Sequence, residues 1–393
     1  MPHSHLGVAT VRVKHMTVRR VRTSFPAILI AAAFLAAGCR ATPPSSESAP
    51  ALVSPSPSAV FPSVEETVVT PAPGEEATDN QIDRVIAISV DGLNPRAIQL
   101  LGRSRSPAFH RLMQQGAYTL NARTMREQTR TLPNHTAMFT GRRVDGRQGG
   151  HGYIANLDNG TTVHRAAGHY VASVFDMVHD NGGSTALFAA KIKFNIYKRT
   201  WNTHGGPDRT GRNDGRAKID RFTIDLSNTR LVAKLTAELR RSPREFTFVH
   251  LSLPDRVGHA HEFMGKEYLD AVEQTDRLLE RILNTVADRP ELYRNTLVLL
   301  TADHGGEGAT HSAAEKLKNY RIPFMAWGPG VPAGRDLYSL NPSFRNPGSS
   351  RTNYGGMQPI RNADLANVVT DALDLPRVPG SEFNSTRSLN VFR

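Results

Sequence analysis

One cysteine, Cys39, occurs among 393 residues. No disulfide can form within the chain, so its stability has to come from a buried core rather than from cross-links. No apolar run reaches the ~20 residues that a membrane-spanning helix needs; the one at residues 25–37, FPAILIAAAFLAA, has thirteen. No segment repeats at a 20–50 residue period, which excludes solenoids and propellers. Acidic residues are the scarcer charge, 36 Asp+Glu against 48 Lys+Arg, for a formal net charge of +12. The first 39 residues hold five of those basic residues and no acid, yet a basic surplus remains in the rest. Such a surplus favours anionic partners. The arginines are scattered rather than clustered with aromatics, so no specific nucleic-acid footprint is expected. With 39% hydrophobic and 21% charged residues, collagenous, coiled-coil and wholly disordered chains are also excluded.

The N-terminus reads as targeting. Arg19, Arg20 and Arg22 precede the apolar run, as in a secretory signal. The run closes on Leu35-Ala36-Ala37-Gly38-Cys39, which resembles a bacterial lipoprotein cleavage and lipidation site. Residues 1–39 are therefore expected to be a lipoprotein signal peptide, with a lipid on Cys39 as the membrane anchor. Met16 heads a signal of more usual length than Met1. Residues 40–80 contain eight prolines and one aromatic residue, too little apolar surface to fold, and read as a disordered tether. The expected setting is the cell envelope, on its periplasmic or extracellular face.

From 81 to 393 short apolar runs alternate with longer amphipathic ones, the pattern of an α/β domain whose mostly parallel central sheet is sandwiched between helices. Strands are expected at Val85–Val90, Ser184–Ala189, Phe246–Leu251, Thr296–Thr301 and Ile322–Trp327. Helices are expected at Ser106–Gln115, Thr136–Gly141, Val171–Asn181, Asn228–Arg241, Gly265–Ala287 and Ala363–Leu373. The stretches Asn202–Lys218 and Asn341–Gln358 read as long surface loops, placed to cover a site.

Three of those strands run straight into metal-type residues. VIAISV leads to Asp91, FTFVHLSLP to Asp255 and His259, and TLVLLTA to Asp303 and His304; His311 follows seven residues later on a glycine-rich loop. In open α/β sheets the ligand crevice lies beyond the carboxyl ends of the strands, so these groups should converge. Carboxylates and imidazoles without thiolates suit catalytic rather than structural zinc. Six such groups are enough for a pair of divalent cations acting on a phosphoester. Singly, each has a plainer explanation, since an Asp after a strand is usually a turn or cap residue.

TRTLPNHTAMFTG at 129–141 places Thr131 ahead of a helix, where backbone N–H groups favour anions. Thr131 is either an ordinary N-cap turn or, beside a divalent cation, a hydroxyl activated as a nucleophile. HGYIAN follows at 151–156.

The set DG (91–92), TLPNH (131–135), HGYIAN (151–156), PDRVGH (254–259), ADHGG (302–306) and GATHS (308–312) resembles the alkaline phosphatase superfamily, in its nucleotide pyrophosphatase/type I phosphodiesterase branch. The resemblance implies two divalent metal ions, most often zinc. Asp91, Thr131, Asp303 and His304 would hold one, and Asp255, His259 and His311 the other. It implies Thr131 as a nucleophile that becomes a phospho- or nucleotidyl-threonine, Asn156 as an amide donor to a phosphate oxygen, and a small phosphoester, nucleotide or similar, as substrate. Asn134 and His135 are expected to be structural. A phosphomonoesterase or phosphonate hydrolase on the same scaffold stays open, as does a non-enzymatic phosphate-binding lipoprotein. The sulfatase relatives need a Cys or Ser at the nucleophile position, and Cys39 lies outside the domain. Eukaryotic members carry a long insertion before the last metal histidine, which this chain lacks. Lys191 and Lys193 are read as a solvated basic edge, Arg142 and Arg143 as surface charge, and His110, His164, His169, His179 and His250 as core or surface histidines.

Overall fold

The computed structural model describes residues 82–202, 217–385 and 388–392. The signal segment, Cys39 and the tether lie outside the described residues, as does most of the Asn202–Lys218 stretch.

Eight strands form one sheet: β1 (Arg84–Val90), β2 (Ala117–Arg123), β3 (Thr185–Ala189), β4 (Arg221–Ile224), β5 (Phe246–Leu251), β6 (Thr296–Thr301), β7 (Arg321–Trp327) and β8 (Arg335–Asp336). Their spatial order is β4-β3-β5-β1-β6-β7-β2-β8. The block from β4 to β6 is parallel, and β7 runs antiparallel to both β6 and β2. Every residue of β3, β5 and β6 is buried. Helices on both faces account for this, and they also explain why these strands read as continuous apolar runs rather than alternating ones.

One group of helices centres on the 22-residue Lys266–Ala287 segment, which packs against Pro107–Gln115 and Asn228–Arg241. Its apolar stripe buries Tyr268, Val272, Leu279, Ile282, Leu283 and Val286. Truncating one such side chain, as in Leu279→Ala, should cost about 2–5 kcal/mol. The other group joins Thr131–Thr140, Val174–Asp180 and Leu365–Ala372.

The expected strands and helices are all present within a few residues, with one instructive shift. The Thr131–Thr140 helix starts five residues before its expected beginning. Pro133 occupies the first turn, where its missing N–H would have no partner anyway, so the TLPN segment is helix rather than a turn before it. Unforeseen were β2, β4 and β8, the helices Pro95–Arg105, Asn195–Trp201 and Leu253–His261, and several helices of four or five residues such as Val163–Ala167. Asn341–Gln358 is loop throughout, as expected.

Strand register brings the functional ends together. Val90 of β1 pairs with Leu251 of β5 and Ser89 with Thr301 of β6, so the three carboxyl ends open at the same level. β3 lies on the far side of β5 and delivers its own end, Lys191, to that level.

Candidate active site

Asp91 follows β1 in a turn where Gly92 has φ +70°, a conformation that a side chain would strain. A Cβ on Gly92 would stand 3.0 Å from the Asp255 backbone, so glycine also permits the close approach of these two segments. Tyr268 locks the turn, its hydroxyl donating to Gly92 O (2.7 Å) and accepting from Asn94 N (2.9 Å). Asp255 and His259 lie one turn apart in the Leu253–His261 helix. Helical spacing sets both on one face. Asp303 Oδ1 accepts the N–H groups of Gly92 (3.1 Å) and His304 (3.0 Å), which fixes that carboxylate.

Three histidines share one device. His304 Nδ1 lies 2.8 Å from Gly305 O, His259 Nδ1 2.9 Å from Ala309 O and His311 Nδ1 2.5 Å from Thr129 O. A carbonyl only accepts, so each Nδ1 carries the proton and each Nε2 presents a lone pair to the cluster. The His311 loop is well anchored, contrary to its glycine-rich appearance. Thr129 Oγ1 donates to His311 O, and Phe263 N donates to Gly308 O at 2.6 Å.

The inward atoms fall into two sets. In the first, His304 Nε2 is 3.4 Å from Asp91 Oδ1 and 3.2 Å from Asp303 Oδ2. In the second, Asp255 Oδ1 is 3.4 Å from His259 Nε2 and 3.5 Å from His311 Nε2, and the two Nε2 atoms are 3.1 Å apart. A tetrahedral ion with bonds near 2.0–2.1 Å holds its ligands about 3.3 Å from one another. Both sets match that spacing. His304 also borders the second set, 3.9 Å from Asp255 Oδ1 and with its ring stacked on His311 at 3.5 Å between centroids; His259 lies nearer to Asp255 Oδ1, at 3.4 Å. Asp91 Oδ1, Thr131 Oγ1, Asp255 Oδ1, Asp303 Oδ2 and His304 Nε2 are all buried without a hydrogen-bond partner. Buried polar atoms are rarely left so, and the four orphans that belong to the two sets, those of Asp91, Asp255, Asp303 and His304, are of ligand type and fit divalent cations.

Electrostatics agree. Burial, reinforced by the neighbouring His311 ring, holds His304 well below the usual imidazole range, in its neutral ligand form. Burial opposes ionisation of Asp91, but the Lys191 ammonium and the His250 ring still hold its carboxyl well below the usual range. Burial and repulsion from Asp91 push Asp303 well above it, a load that a cation would relieve.

Thr131 opens the Thr131–Thr140 helix, whose N-cap residue, Arg130, makes no side-chain cap bond. Asn156 Oδ1 instead accepts Leu132 N–H at 3.1 Å and the Lys193 ammonium at 3.1 Å. His135 Nδ1 donates to Thr131 O (2.7 Å) and its Nε2 meets Ser89 Oγ (2.9 Å). Asn134 accepts from Met125 N and donates to Gln128 O. Both support the turn, as expected of structural residues.

Two expectations fail here. Lys191 is no solvated edge: its Nζ lies 2.7 Å from Asp91 Oδ2 and 2.6 Å from Asp255 Oδ2. Lys193 points inward as well, and burial followed by the Lys191 charge lowers its affinity for a proton. The AKIK segment gave the only hint, following a buried strand as the three ligand segments do. Arg142 is not surface charge either; it is buried and donates to Pro379 O at 2.8 Å. His250 is a core histidine that sequence could not tie to the site. Its Nδ1 accepts Ala190 N–H and its Nε2 donates to Asp91 Oδ2 at 2.7 Å.

The chain matches the family model of the type I phosphodiesterases/nucleotide pyrophosphatases over residues 85–331. Among curated proteins it is similar to GPI ethanolamine phosphate transferase 1 of Chaetomium globosum, 29% identical over 48% of this chain and 23% of that protein. The same enzyme of Aspergillus oryzae is 30% identical over 40% and 15%. The chain thus spans less than a quarter of the length of these relatives. Among solved structures, murine ectonucleotide pyrophosphatase/phosphodiesterase 5 superposes with TM-score 0.54 at 13% identity, over 79% of this chain and all of that one. A 2-O GAG sulfatase does so with TM-score 0.51 at 12% identity, over 77% and 73%. The fold is therefore that of this superfamily, and by its match over most of the folded region the chain belongs to the type I phosphodiesterase/nucleotide pyrophosphatase family.

Proposed function

We propose that the protein is a two-metal phosphodiesterase/nucleotide pyrophosphatase that works through Thr131. The observation that carries this reading is the pair of atom sets at tetrahedral ligand spacing, converging on orphaned buried atoms. Asp91, Thr131, Asp303 and His304 would hold one divalent cation and Asp255, His259 and His311 the other, with zinc favoured by the oxygen and imidazole donors. Bound there, the cations would supply Lewis acidity toward hydroxyl and phosphoryl oxygens.

Thr131 Oγ attacks phosphorus as an alkoxide; its bond to phosphorus forms as the bond to the leaving oxygen breaks. Water then displaces phosphorus from Thr131, and the hydroxyl is restored. Leu132 N–H is taken by Asn156, Pro133 has none and Asn134 N–H bonds Arg130 O, so the backbone N–H of Thr131 is the one at the helix start left to stabilise a non-bridging oxygen. Asn156 adds its Nδ2 group, because its Oδ1 already faces Leu132 N–H and Lys193. Lys193 contributes positive charge beside the same oxygens.

The test is hydrolysis of bis-p-nitrophenyl phosphate and p-nitrophenyl phosphate by the full-length chain, wild type beside Thr131→Ala, with metal content measured for each. Diester turnover lost in a variant that keeps about two metals supports the proposal. A strong preference for the monoester selects phosphomonoesterase chemistry instead. Metal binding with neither activity selects a phosphonate hydrolase or a non-enzymatic phosphate-binding protein.

A second reading is favoured by the similarity to proteins named as ethanolamine phosphate transferases. An alcohol would replace water in the second displacement, and product analysis with added ethanolamine distinguishes the two.

The remaining sequence fits an envelope lipoprotein: a signal at 1–39, a lipid anchor on Cys39, a tether at 40–80 and the catalytic domain at 81–393. Among the described residues no helix is long and apolar enough to cross a membrane. Labelling with a fatty-acid analogue, abolished by Cys39→Ala, tests the anchor.

A further inference from the structure

Lys191 occupies an unusual place in the cluster. Its Nζ contacts Oδ2 of Asp91 at 2.7 Å and Oδ2 of Asp255 at 2.6 Å. These are the first carboxylates of the two ligand sets, one from each. In both, the other oxygen, Oδ1, is the orphaned inward atom. One ammonium thus grips the outer oxygen of each carboxylate and turns the inner oxygen toward its histidines. The three groups are largely enclosed, with side-chain exposures of 20%, 0% and 4% for Lys191, Asp91 and Asp255. Lys191 reaches this point because β3 borders β5, so its carboxyl end stands beside theirs.

Charge makes the contact consequential. Asp91, Asp255 and Asp303 bring three carboxyl groups into one pocket, and Lys191 is the cation that touches two of them. A buried carboxylate stripped of its partner is strongly destabilising. We propose that Lys191 is a positioning residue that cross-links the two ligand sets and acts as their resident counter-cation, keeping the pocket assembled when no metal is bound. Its effect should therefore be largest in the metal-free protein and shrink as divalent cations neutralise the inner oxygens. The inference rests on the two-metal reading of the site, from which its test can be separated.

The experiment is a thermal melt of the full-length chain, wild type and Lys191→Met, each stripped with chelator and then titrated with zinc. Methionine keeps the unbranched shape of the side chain up to its last atom and removes its charge. Stripped Lys191→Met is expected to melt about 5 °C or more below stripped wild type, with zinc closing most of that gap. Equal stripped melting temperatures overturn the proposal. So does a gap of the same size with and without zinc, which would mark loss of packing alone. If zinc shifts neither protein, the metal reading itself fails. Should Lys191→Met not fold free of metal, the double variant Lys191→Met/Asp255→Asn decides the matter. Removing one uncompensated carboxylate should restore a folded stripped protein, and failure to do so overturns the counter-cation role.

Discussion

Asn156 Oδ1 accepts the backbone N–H of Leu132 at 3.1 Å, so a residue 24 positions downstream closes the first turn of the helix that Thr131 opens. Two donors, Leu132 N–H and the Lys193 ammonium, point at that one atom, which assigns it as oxygen and turns the Nδ2 group elsewhere. Asn156→Ala should therefore lower kcat/KM for the diester by about 10²-fold, the scale of losing one preorganised donor, while the melting temperature changes little. Steady-state kinetics beside a thermal melt checks both halves. An activity loss that tracks unfolding would remove Asn156 from the site.

Thr131 has a buried hydroxyl without a partner, so its removal leaves no hydrogen bond broken. Thr131→Ala should fold like wild type, keep its metals, and lose at least ~10³-fold in diester turnover, as nucleophile deletions do. Trapping offers a direct readout: acid quench during turnover of bis-p-nitrophenyl phosphate should leave a p-nitrophenyl phosphoryl group on wild type and none on the variant, detected by intact mass.

Divalent cations that bind only the folded chain stabilise it by mass action. Chelation should abolish activity and lower the melting temperature by on the order of 10 °C, and zinc should restore both. The two sets can be emptied separately. Asp303→Asn should reduce the metal content by one equivalent through loss of Asp303 Oδ2, and His259→Ala by one equivalent from the other set, both read by elemental analysis. Loss of both metals in either variant would show that the sets do not load independently.

Legibility of the sequence followed the strength of the physical signal. β5 and β6 matched residue for residue because fully buried parallel strands are uninterrupted apolar runs bounded by polar residues. β2, AYTLNAR, was not foreseen, since its polar positions imitate a loop, and its pairing with β7 is set by tertiary context. The ligand-type residues were legible because they stand where three strands end. Lys191 and His250 were not. Lysine after a strand is usually solvated, and only the β3-β5-β1 order, which no local pattern encodes, places these two against Asp91. Pro133 misplaced a helix start because proline in a first turn looks the same as proline before one.

Away from the site, Asp276 carries a pH dependence of its own. Its carboxyl accepts Phe109 N–H at 2.8 Å and Ala108 N–H at 3.1 Å, capping the Pro107–Gln115 helix from the Lys266–Ala287 helix. Burial pushes this carboxyl from its ordinary 3.8 up to about 6. The folded state therefore holds the proton more tightly than the unfolded state does. That stabilisation is complete below pH 3.8 and is lost as pH rises to about 6; a two-unit shift corresponds to roughly 2–3 kcal/mol. Asp276→Asn cannot titrate, and its amide oxygen can still accept one of the two N–H groups. The stability of wild type relative to Asp276→Asn should thus fall by that amount between pH 4 and 7 and stay level above it. Urea unfolding of both proteins across this range measures the difference, and a flat difference would mean that Asp276 keeps one protonation state in folded and unfolded chains alike.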